Sequence, residues 1–276
     1  AFLGSAPVAA QATNPERDLK EFRDYYMEKF PGMPLQRFAD GIYGISKERR
    51  KEWKEMEEFP PYEIGLDIGK EEFFKKLPSG KSLADCFPGW KQGVRQDYPY
   101  FDKQTGKIVT LEGTINKCRT DNGAEPYRWG KGKIAAVSAW IGYNARGNEI
   151  DVEIPNDPKA MQIYERGKGH FYARRGQLNF ACADCHMYQA GVNLRANLLS
   201  PALGQVSHFP VYRKKWEARG SGPLAGFGTL HRRYGGCNRR VRAADFSAQG
   251  EEYKALEYFH TYMSNGIKVN APGVRQ

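Results

Sequence analysis

Apolar residues recur at helical spacing in two stretches of the second half of the chain. Residues 158–175 show this spacing over part of their length, and residues 251–263 show it throughout. Apolar positions three or four residues apart fall on one face of an α-helix, and they predict that this face is buried. The apolar positions of the two predicted helices are Met161, Tyr164, Phe171, Tyr253, Leu256, Phe259 and Tyr262.

Two further stretches predict helices of other kinds. Residues 134–143 are almost continuously apolar, but they are shorter than the roughly 18 residues that a membrane-spanning helix needs. They therefore predict a buried core helix, and we expect no membrane span. Residues 46–58 are rich in charge and predict an exposed helix that wraps a partner or another part of the chain. The pattern as a whole predicts a mainly α protein.

Short motifs of the first half recur in the second half in the same order. Such internal repetition indicates two copies of one structural unit. The first pair is Leu83-Ala84-Asp85-Cys86-Phe87 with Cys182-Ala183-Asp184-Cys185-His186. The later pairs are Tyr98-Pro99 with Phe209-Pro210, Thr110-Leu111 and Cys118 with Thr229-Leu230 and Cys237, and Tyr143 and Gly147 with Tyr262 and Gly266.

The second copy contains the spacing C-x-x-C-H, which is typical of covalent haem attachment. Cys182 and Cys185 can add to the two vinyl groups of one porphyrin edge, and His186 then lies under the iron as the proximal ligand. A redox C-x-x-C pair would need a thioredoxin-like βαβ context, which the pattern does not show. The predicted helices before and after the motif are those that a small cytochrome c domain packs around its haem.

The first copy has Leu83 and Phe87 where the second has an attachment cysteine and the ligand histidine. We therefore predict that it binds no haem. Its remaining cysteines, Cys86 and Cys118, are expected to form a disulfide in an oxidising compartment. Closing a loop of this length contributes roughly 3–4 kcal/mol in the chain-entropy model.

Cys237 is then left without a covalent partner, in a stretch with four arginines and two glycines between residues 231 and 240. The glycines allow the backbone to approach a flat group closely. The arginines would lower the pKa of a thiol and hold an anion beside it. Thiolates are known axial ligands of haem iron, and the repeat predicts that Cys237 lies at the distal position.

Other side chains compete for the distal position. Met187 follows the proximal histidine too closely to reach the opposite face of a haem, and Met263 falls in an apolar helix. The alternative is therefore a buried, free Cys237 with a histidine ligand. The histidines that remain possible distal ligands are His208 and His231.

The formal net charge of +10 narrows the classes of partner. Lys and Arg residues are spread along the chain and form no recognised nucleic-acid motif, so we predict no nucleic-acid binding. The charge instead predicts a surface that steers small anions or an acidic protein.

The N-terminal residues indicate the cellular compartment of the protein. Residues 1–12 are small and apolar and end in Ala10-Gln11-Ala12, which is similar to a signal-peptidase site, although a basic n-region is missing. We expect a signal peptide that has been removed or trimmed. In bacteria, haem c is joined to its thiols outside the cytoplasm, so we predict a secreted, periplasmic protein.

The chain resembles the SoxA family, the larger subunits of the SoxAX cytochromes of bacterial sulfur oxidation. The first half resembles it from about residue 82 to residue 152, in the form that keeps a single haem in this subunit. The second half carries the more specific motifs, which are Arg174-Arg175-Gly176-Gln177-Leu178-Asn179-Phe180, Phe209-Pro210, Tyr212-Arg213, His231-Arg232-Arg233, Gly236-Cys237-Asn238 and Asn265-Gly266.

The resemblance and the repeat together imply two cytochrome c-like domains in tandem, the first without haem, behind an N-terminal helical extension. The expected division is an extension over residues 1–76, a degenerate domain over residues 77–155 and a haem domain over residues 156–276. The expected cofactor is one covalent haem c.

The resemblance also implies an activity, that of an L-cysteine S-thiosulfotransferase. Thiosulfate is joined oxidatively to a cysteine of the carrier protein SoxYZ, and electrons pass to cytochrome c. Cys237 matches the haem-ligating cysteine that becomes a persulfide, Arg233 matches an active-site arginine, and His186 matches the proximal ligand. The implied partners are a SoxX-type haem c subunit, SoxYZ, thiosulfate and an electron-accepting cytochrome c.

Two other functions compete with this activity. A pure electron-transfer cytochrome would use Cys237 only to tune the haem, and it would not need the arginines around this cysteine. A structural or docking subunit would account for a domain that has lost its haem.

Overall fold

The structure, a computed structural model, describes residues 13–275; the features expected in residues 1–12 lie outside this range. Within the described range, α-helices form most of the regular structure. Their bounds are α1 Pro15–Lys29, α2 Ile42–Ile45, α3 Lys47–Glu58, α4 Glu63–Phe74, α5 Leu111–Asp121, α6 Lys133–Asn144, α7 Pro158–Tyr172, α8 Lys214–Glu217, α9 Leu230–Arg240 and α10 Glu251–Tyr262. The predicted mainly α fold is confirmed.

The strands are short and connect the helices. They are β1 Tyr100–Asp102, β2 Lys107–Val109, β3 Asn193–Leu194, β4 Asn197–Leu198, β5 Val211–Arg213, β6 Phe227–Gly228 and β7 Gly273–Arg275. β1 pairs with β2 and β3 with β4, while β5 lies between antiparallel β6 and parallel β7. Strand β7 thereby brings the C-terminal end of the chain next to β5.

The four helices predicted from the apolar and charged patterns are present as α7, α10, α6 and α3. Helix α6 is buried over most of its length, as its continuous apolar sequence predicts. None of the helices within residues 13–275 is long and apolar enough to cross a membrane.

The sequence repeat is also a repeat of structure. Helices α4 and α6 pack against each other in the first unit, as α7 and α10 do in the second. A Cβ atom at Gly69 of α4 would lie 2.2 Å from the carbonyl oxygen of Ala136, and one at Gly167 of α7 would lie 2.0 Å from that of Ala255. In both units a glycine therefore allows two helix backbones to touch.

The helix that carries the later cysteine of each unit begins in the same way. The side chain of Thr110 accepts a hydrogen bond from the amide of Gly113 at the start of α5, and Thr229 accepts one from Arg232 at the start of α9. A threonine at this position satisfies one of the free amides of the first turn. The repeated Thr-Leu pair is thus a repeated helix start.

Aromatic side chains fill the core of the first unit. Phe87, at the position of His186 in the repeat, is 2 % exposed and lies in the same core cluster as Phe73 and Trp140. The rings of Phe73 and Trp140 are 4.5 Å apart between centroids. In an ordinary cytochrome c domain, the haem supplies much of the buried apolar surface. In the first unit, these packed aromatic rings supply it instead.

The predicted disulfide between Cys86 and Cys118 is confirmed, with 6.1 Å between the Cα atoms. It joins the short helix Leu83–Cys86 to α5. Cys182, Cys185 and Cys237 are free thiols.

The N-terminal helix α1 packs on the second unit. The hydroxyl of Tyr26 donates a hydrogen bond of 2.6 Å to the carbonyl oxygen of His186, and that of Tyr164 donates one of 2.9 Å to Asp18. Helix α4, which the predicted division assigns to the N-terminal extension, packs instead against α6. The domain boundaries after residues 76 and 155 stay predictions.

We predict that Gly167→Ala destabilises the protein by about 1–3 kcal/mol, because the new methyl group meets a backbone carbonyl that has no room to move. Gly169→Ala is the matched control on the same helix. Nothing lies within 4 Å of its Cβ position, and alanine is the better helix former, so it should be neutral or stabilising. Denaturant unfolding followed by circular dichroism measures both; equal effects of the two substitutions would contradict the close approach.

We predict that replacing both Cys86 and Cys118 with serine lowers the free energy of unfolding by about 3–4 kcal/mol. The disulfide lies in the first unit, so catalytic turnover should be unchanged. Denaturant unfolding and a turnover assay test the two halves of the prediction. Titration of accessible thiols in the unreduced, unfolded protein is the control, and a free thiol at either position would overturn the pairing.

Candidate haem and thiolate site

The C-x-x-C-H motif follows α7 in the chain and is helical. Its first two residues form a helical turn that continues into the short π-helix Asp184–Tyr188. The carboxylate of Asp184 accepts a hydrogen bond of 2.8 Å from the amide of Ala181 and lies 3.2 Å from Nε of Arg174. These contacts hold the helical turn that carries both cysteines.

The imidazole of His186 is oriented by its Nδ1 atom. Nδ1 lies 2.9 Å from the carbonyl oxygen of Ser200, to which it can only donate, and 3.3 Å from the side-chain amide nitrogen of Gln205. The shorter contact with Ser200 favours the tautomer with the proton on Nδ1, in which Nε2 keeps its lone pair free for a metal. A backbone carbonyl in this place is the usual means of fixing the tautomer of a metal-binding histidine.

A cavity of about 1160 Å³ opens beside the motif. It is large enough to hold a macrocycle, and most of its wall is apolar. Residues of the motif and of α9 both line it. The chemically active side chains in the wall include Cys182, Cys185, His186, His208, Arg213, Arg233, Cys237, Arg240 and Arg275.

Cys237 is half-buried on α9, and its thiol is within hydrogen-bonding contact of the His186 side chain. Burial by itself raises the pKa of the thiol, but the positive charge of Arg233, the contact with His186 and the charge of Arg240 outweigh it. The result is a pKa lowered to about 6, so the sulfur is a thiolate at neutral pH. Arg233 and Cys237 are four residues apart and share one face of the helix.

The cavity carries more positive than negative charge. Within residues 13–275, no carboxylate lies within ion-pair distance of Arg213, Arg233 or Arg240. The Nε atom of Arg213 is buried without a hydrogen-bond partner. Burial and the charges of Arg233, Arg240 and Arg275 lower the pKa of Arg213 to about 10. An anion that entered the cavity would relieve this unpaired charge.

The two histidines that competed for the distal position lie in different surroundings. His208 lines the cavity, and its Nε2 atom is 3.1 Å from the guanidinium of Arg275. His231 is outside the cavity wall, with Nε2 at 2.8 Å from a carboxylate oxygen of Glu257. His231 is two residues from Arg233 on α9, and such positions point to different sides of a helix.

Sequence patterns did not identify the contribution of two arginines. Arg213 ends β5 and Arg275 ends β7, and the parallel pairing of these strands sets the two residues side by side. The Tyr212-Arg213 motif was a signal for the first. Nothing in the local sequence indicates that Arg275 reaches the cavity that contains Cys237.

Comparison with known proteins supports the description of the fold. The family model described as "SoxA/TsdA, cytochrome c domain" matches residues 69–150, which is the unit without the attachment motif. The crystal structure of SoxXA from P. pantotrophus has a TM-score of 0.72 and 31 % identity, covering 82 % of this chain and 84 % of that one.

Two curated relatives match nearly the whole chain, and both are named "L-cysteine S-thiosulfotransferase subunit SoxA". The protein of Chlorobaculum tepidum is 48 % identical, over 95 % of this chain and 88 % of its own length. The protein of Allochromatium vinosum is 44 % identical, over 100 % of this chain and 95 % of its own length.

A cytochrome c domain implies haem c, and the residues of the second unit fit this cofactor. Two free thiols at the attachment spacing, a histidine with a free Nε2 atom and an adjoining cavity lie together. The sequence identity over almost the full chain and the matching fold both support assignment to one protein family. The chain belongs to the SoxA family of cytochrome c subunits.

Proposed function

We propose that this chain holds one haem c in its second unit and catalyses the joining of thiosulfate to a cysteine of a SoxYZ-type carrier protein. In this proposal Cys182 and Cys185 would attach the haem, and His186 and Cys237 would hold its iron. The observation that carries the proposal is the place of Cys237, which lies next to His186 in the cavity wall, among arginines without acidic partners within residues 13–275.

The arginines give the site its affinity for the substrate. Thiosulfate is a small dianion, and the guanidinium of Arg233 can hold it through two parallel hydrogen bonds. Arg213 adds a second guanidinium, whose Nε atom is buried and unpartnered before an anion enters. The charges of Arg233 and Arg240 lower the pKa of Cys237 and so favour its thiolate form.

The reaction forms one sulfur–sulfur bond and releases two electrons. As a persulfide, Cys237 bonds to the terminal sulfur of thiosulfate, with loss of two electrons, one to each of two electron-accepting cytochrome c molecules. The carrier thiolate then attacks this sulfur and takes it with its sulfonate group, which restores the persulfide. The second step follows the logic of thiol–disulfide exchange. When bound, haem c supplies a one-electron acceptor and a metal that holds the Cys237 sulfur.

The structural neighbour and the expected oxidising compartment together indicate which proteins this chain binds. The P. pantotrophus neighbour is a SoxXA complex, so we propose that this chain pairs with a SoxX-type haem c subunit. Haem attachment and a structural disulfide both belong to an oxidising compartment. We therefore place the complex in the periplasm, where it meets SoxYZ.

A pure electron-transfer cytochrome is the competing function. It accounts for the haem motif, but it gives no role to the arginines that line the cavity beside Cys237. Unpaired buried charge is costly unless a ligand compensates it, and an electron carrier binds no anion there.

We predict that Cys237→Ser lowers thiosulfate-dependent reduction of cytochrome c, in the presence of the carrier, by roughly 1000-fold or more. The covalent haem should remain, since Cys182, Cys185 and His186 are unchanged. Electron paramagnetic resonance of the ferric protein should show a low-spin thiolate-type signal that the variant loses. A variant that keeps normal turnover would favour the electron carrier, and a His/Met or bis-His signal in the unchanged protein would remove Cys237 from the iron.

We predict that Arg233→Ala lowers kcat/KM for thiosulfate by roughly 10–150-fold, the loss expected for about 1.5–3 kcal/mol of charged hydrogen bonding. The haem absorption spectrum should not change. Arg239→Ala is the matched control, because Arg239 lies on the same helix but pairs with Asp245 outside the cavity wall. Equal losses in the two variants would mean that general charge, and not Arg233, controls the reaction.

A further inference from the structure

A group of buried titratable side chains lies where the two units meet, outside the cavity wall. Glu112 of α5, His231 of α9 and Glu257 of α10 are only 9 %, 4 % and 3 % exposed. In the repeat, Glu112 corresponds to His231, and Ser138 corresponds to Glu257. The first unit therefore contributes a carboxyl–hydroxyl pair, and the second contributes an imidazole–carboxyl pair at the same place.

The hydrogen bonds of this group indicate which atoms act as donors and which act as acceptors. The amide of Gln249 donates to Nδ1 of His231 over 3.0 Å. Nδ1 is therefore an acceptor, and Nε2 lies 2.8 Å from a carboxylate oxygen of Glu257, to which it can donate. The hydroxyl of Ser138 is 2.9 Å from a carboxyl oxygen of Glu112.

The two carboxyl groups influence each other. Burial and the negative charge of Glu257 raise the pKa of Glu112, while the buried cation Arg95 acts in the opposite direction. Two buried carboxyl groups with one neighbouring arginine do not readily both ionise. Glu112, in hydrogen-bond contact with Ser138, is therefore placed to hold an exchangeable proton.

Tyr234 connects this group to the haem cavity. Its ring stacks on His231 with 5.9 Å between centroids, and it also lines the cavity. Its hydroxyl lies 3.1 Å from Nδ1 of His260, whose own ring is in the cavity wall. The pKa of Tyr234 is raised by burial and then by the charges of Glu257 and Cys237. One ring thus lies within the electric field of both the carboxyl group and the proposed haem ligand.

We propose that Glu112, His231 and Glu257 form a buried proton-binding site whose occupancy is coupled to the charge of the haem cavity. When an electron enters the cavity, a carboxylate of this site takes one proton from the solvent, and it returns the proton when the electron leaves. Negative charge in a low-dielectric region favours protonation of a nearby carboxylate. The other charged or titratable groups that face the site are Arg95, Lys107, Tyr234, Tyr253, Lys254 and His260.

The first test is the midpoint potential of the haem in the loaded protein with its partner subunit, measured by spectroelectrochemistry from about pH 5 to about pH 9. Reduction that takes up a proton becomes less favourable as pH rises. We expect the potential of the haem in this chain to fall with pH, with a slope approaching about 59 mV per pH unit for one proton per electron. Glu112→Gln should remove most of this slope.

The matched control is Glu72→Gln. Glu72 is also a largely buried carboxylate with a hydroxyl partner, but it is paired with Tyr127 and Lys133 in the first unit. This variant should keep the slope of the unchanged protein. Glu257→Gln also removes a carboxyl group of the proposed site. This variant should lose the pH dependence of the potential. Identical slopes in all four proteins would overturn the proposal.

Unfolding provides a readout that does not depend on the haem. Because the pKa of Glu112 is raised in the folded state, the folded protein holds a proton that the unfolded chain has already released. Its contribution to stability is therefore greatest at low pH and is lost as pH rises from the unfolded pKa towards the folded one. Glu112→Gln should gain stability relative to the unchanged protein over that interval. A constant difference at every pH would show that this carboxyl group does not hold the proton.

Discussion

The arrangement of the second unit depends on the close contact between α7 and α10. Gly167 has no side chain, so the backbone of α7 can approach the carbonyl of Ala255, where a methyl group would lie only 2.0 Å away. This crossing sets the distance between the attachment motif, which follows α7, and the cavity wall to which α10 contributes. The first unit uses Gly69 in the same way, which shows that the contact belongs to the common fold and not to haem binding.

The two units share this close helix contact but differ in the chemistry of their side chains. In the first, Phe87 stands at the ligand position and packs with other aromatic rings, and a disulfide joins the two cysteines that the repeat leaves there. Aromatic packing and a covalent crosslink both stabilise a small unit that has no cofactor to pack around. In the second, the equivalent places are the motif cysteines, the histidine and the free thiol of Cys237.

The positive charges around Cys237 favour a reactive thiolate, although they do not favour the stability of the folded protein. Arg213, Arg233 and Arg240 lie near one thiol without acidic partners within residues 13–275, and burial together with the neighbouring positive charges lowers the pKa of Arg213. Uncompensated cations in a partly buried cavity destabilise a folded protein. The same cations stabilise a thiolate and attract an anion, which is the requirement of a reaction between two negatively charged sulfur species. On the other side of α9, the carboxyl groups of Glu112 and Glu257 are kept away from this cavity.

The sequence by itself determined those features that depend on local spacing. The C-x-x-C-H motif, the order of repeated motifs and the apolar period of α7 and α10 each involve residues close together in the chain. The repeat also assigned the Cys86–Cys118 pair, because equivalent positions in two copies fold alike. That Arg233 and Cys237 share a helix face follows from their spacing of four residues.

Only the tertiary structure decided which distant residues meet. Arg275 reaches the cavity because β7 pairs in parallel with β5, and the helix crossing places Glu257 beside His231. His231 was open as a haem ligand from the sequence, but the rotation of α9 directs it to this carboxylate. Such contacts depend on how helices cross and strands pair over the whole chain, and no local spacing encodes those distances.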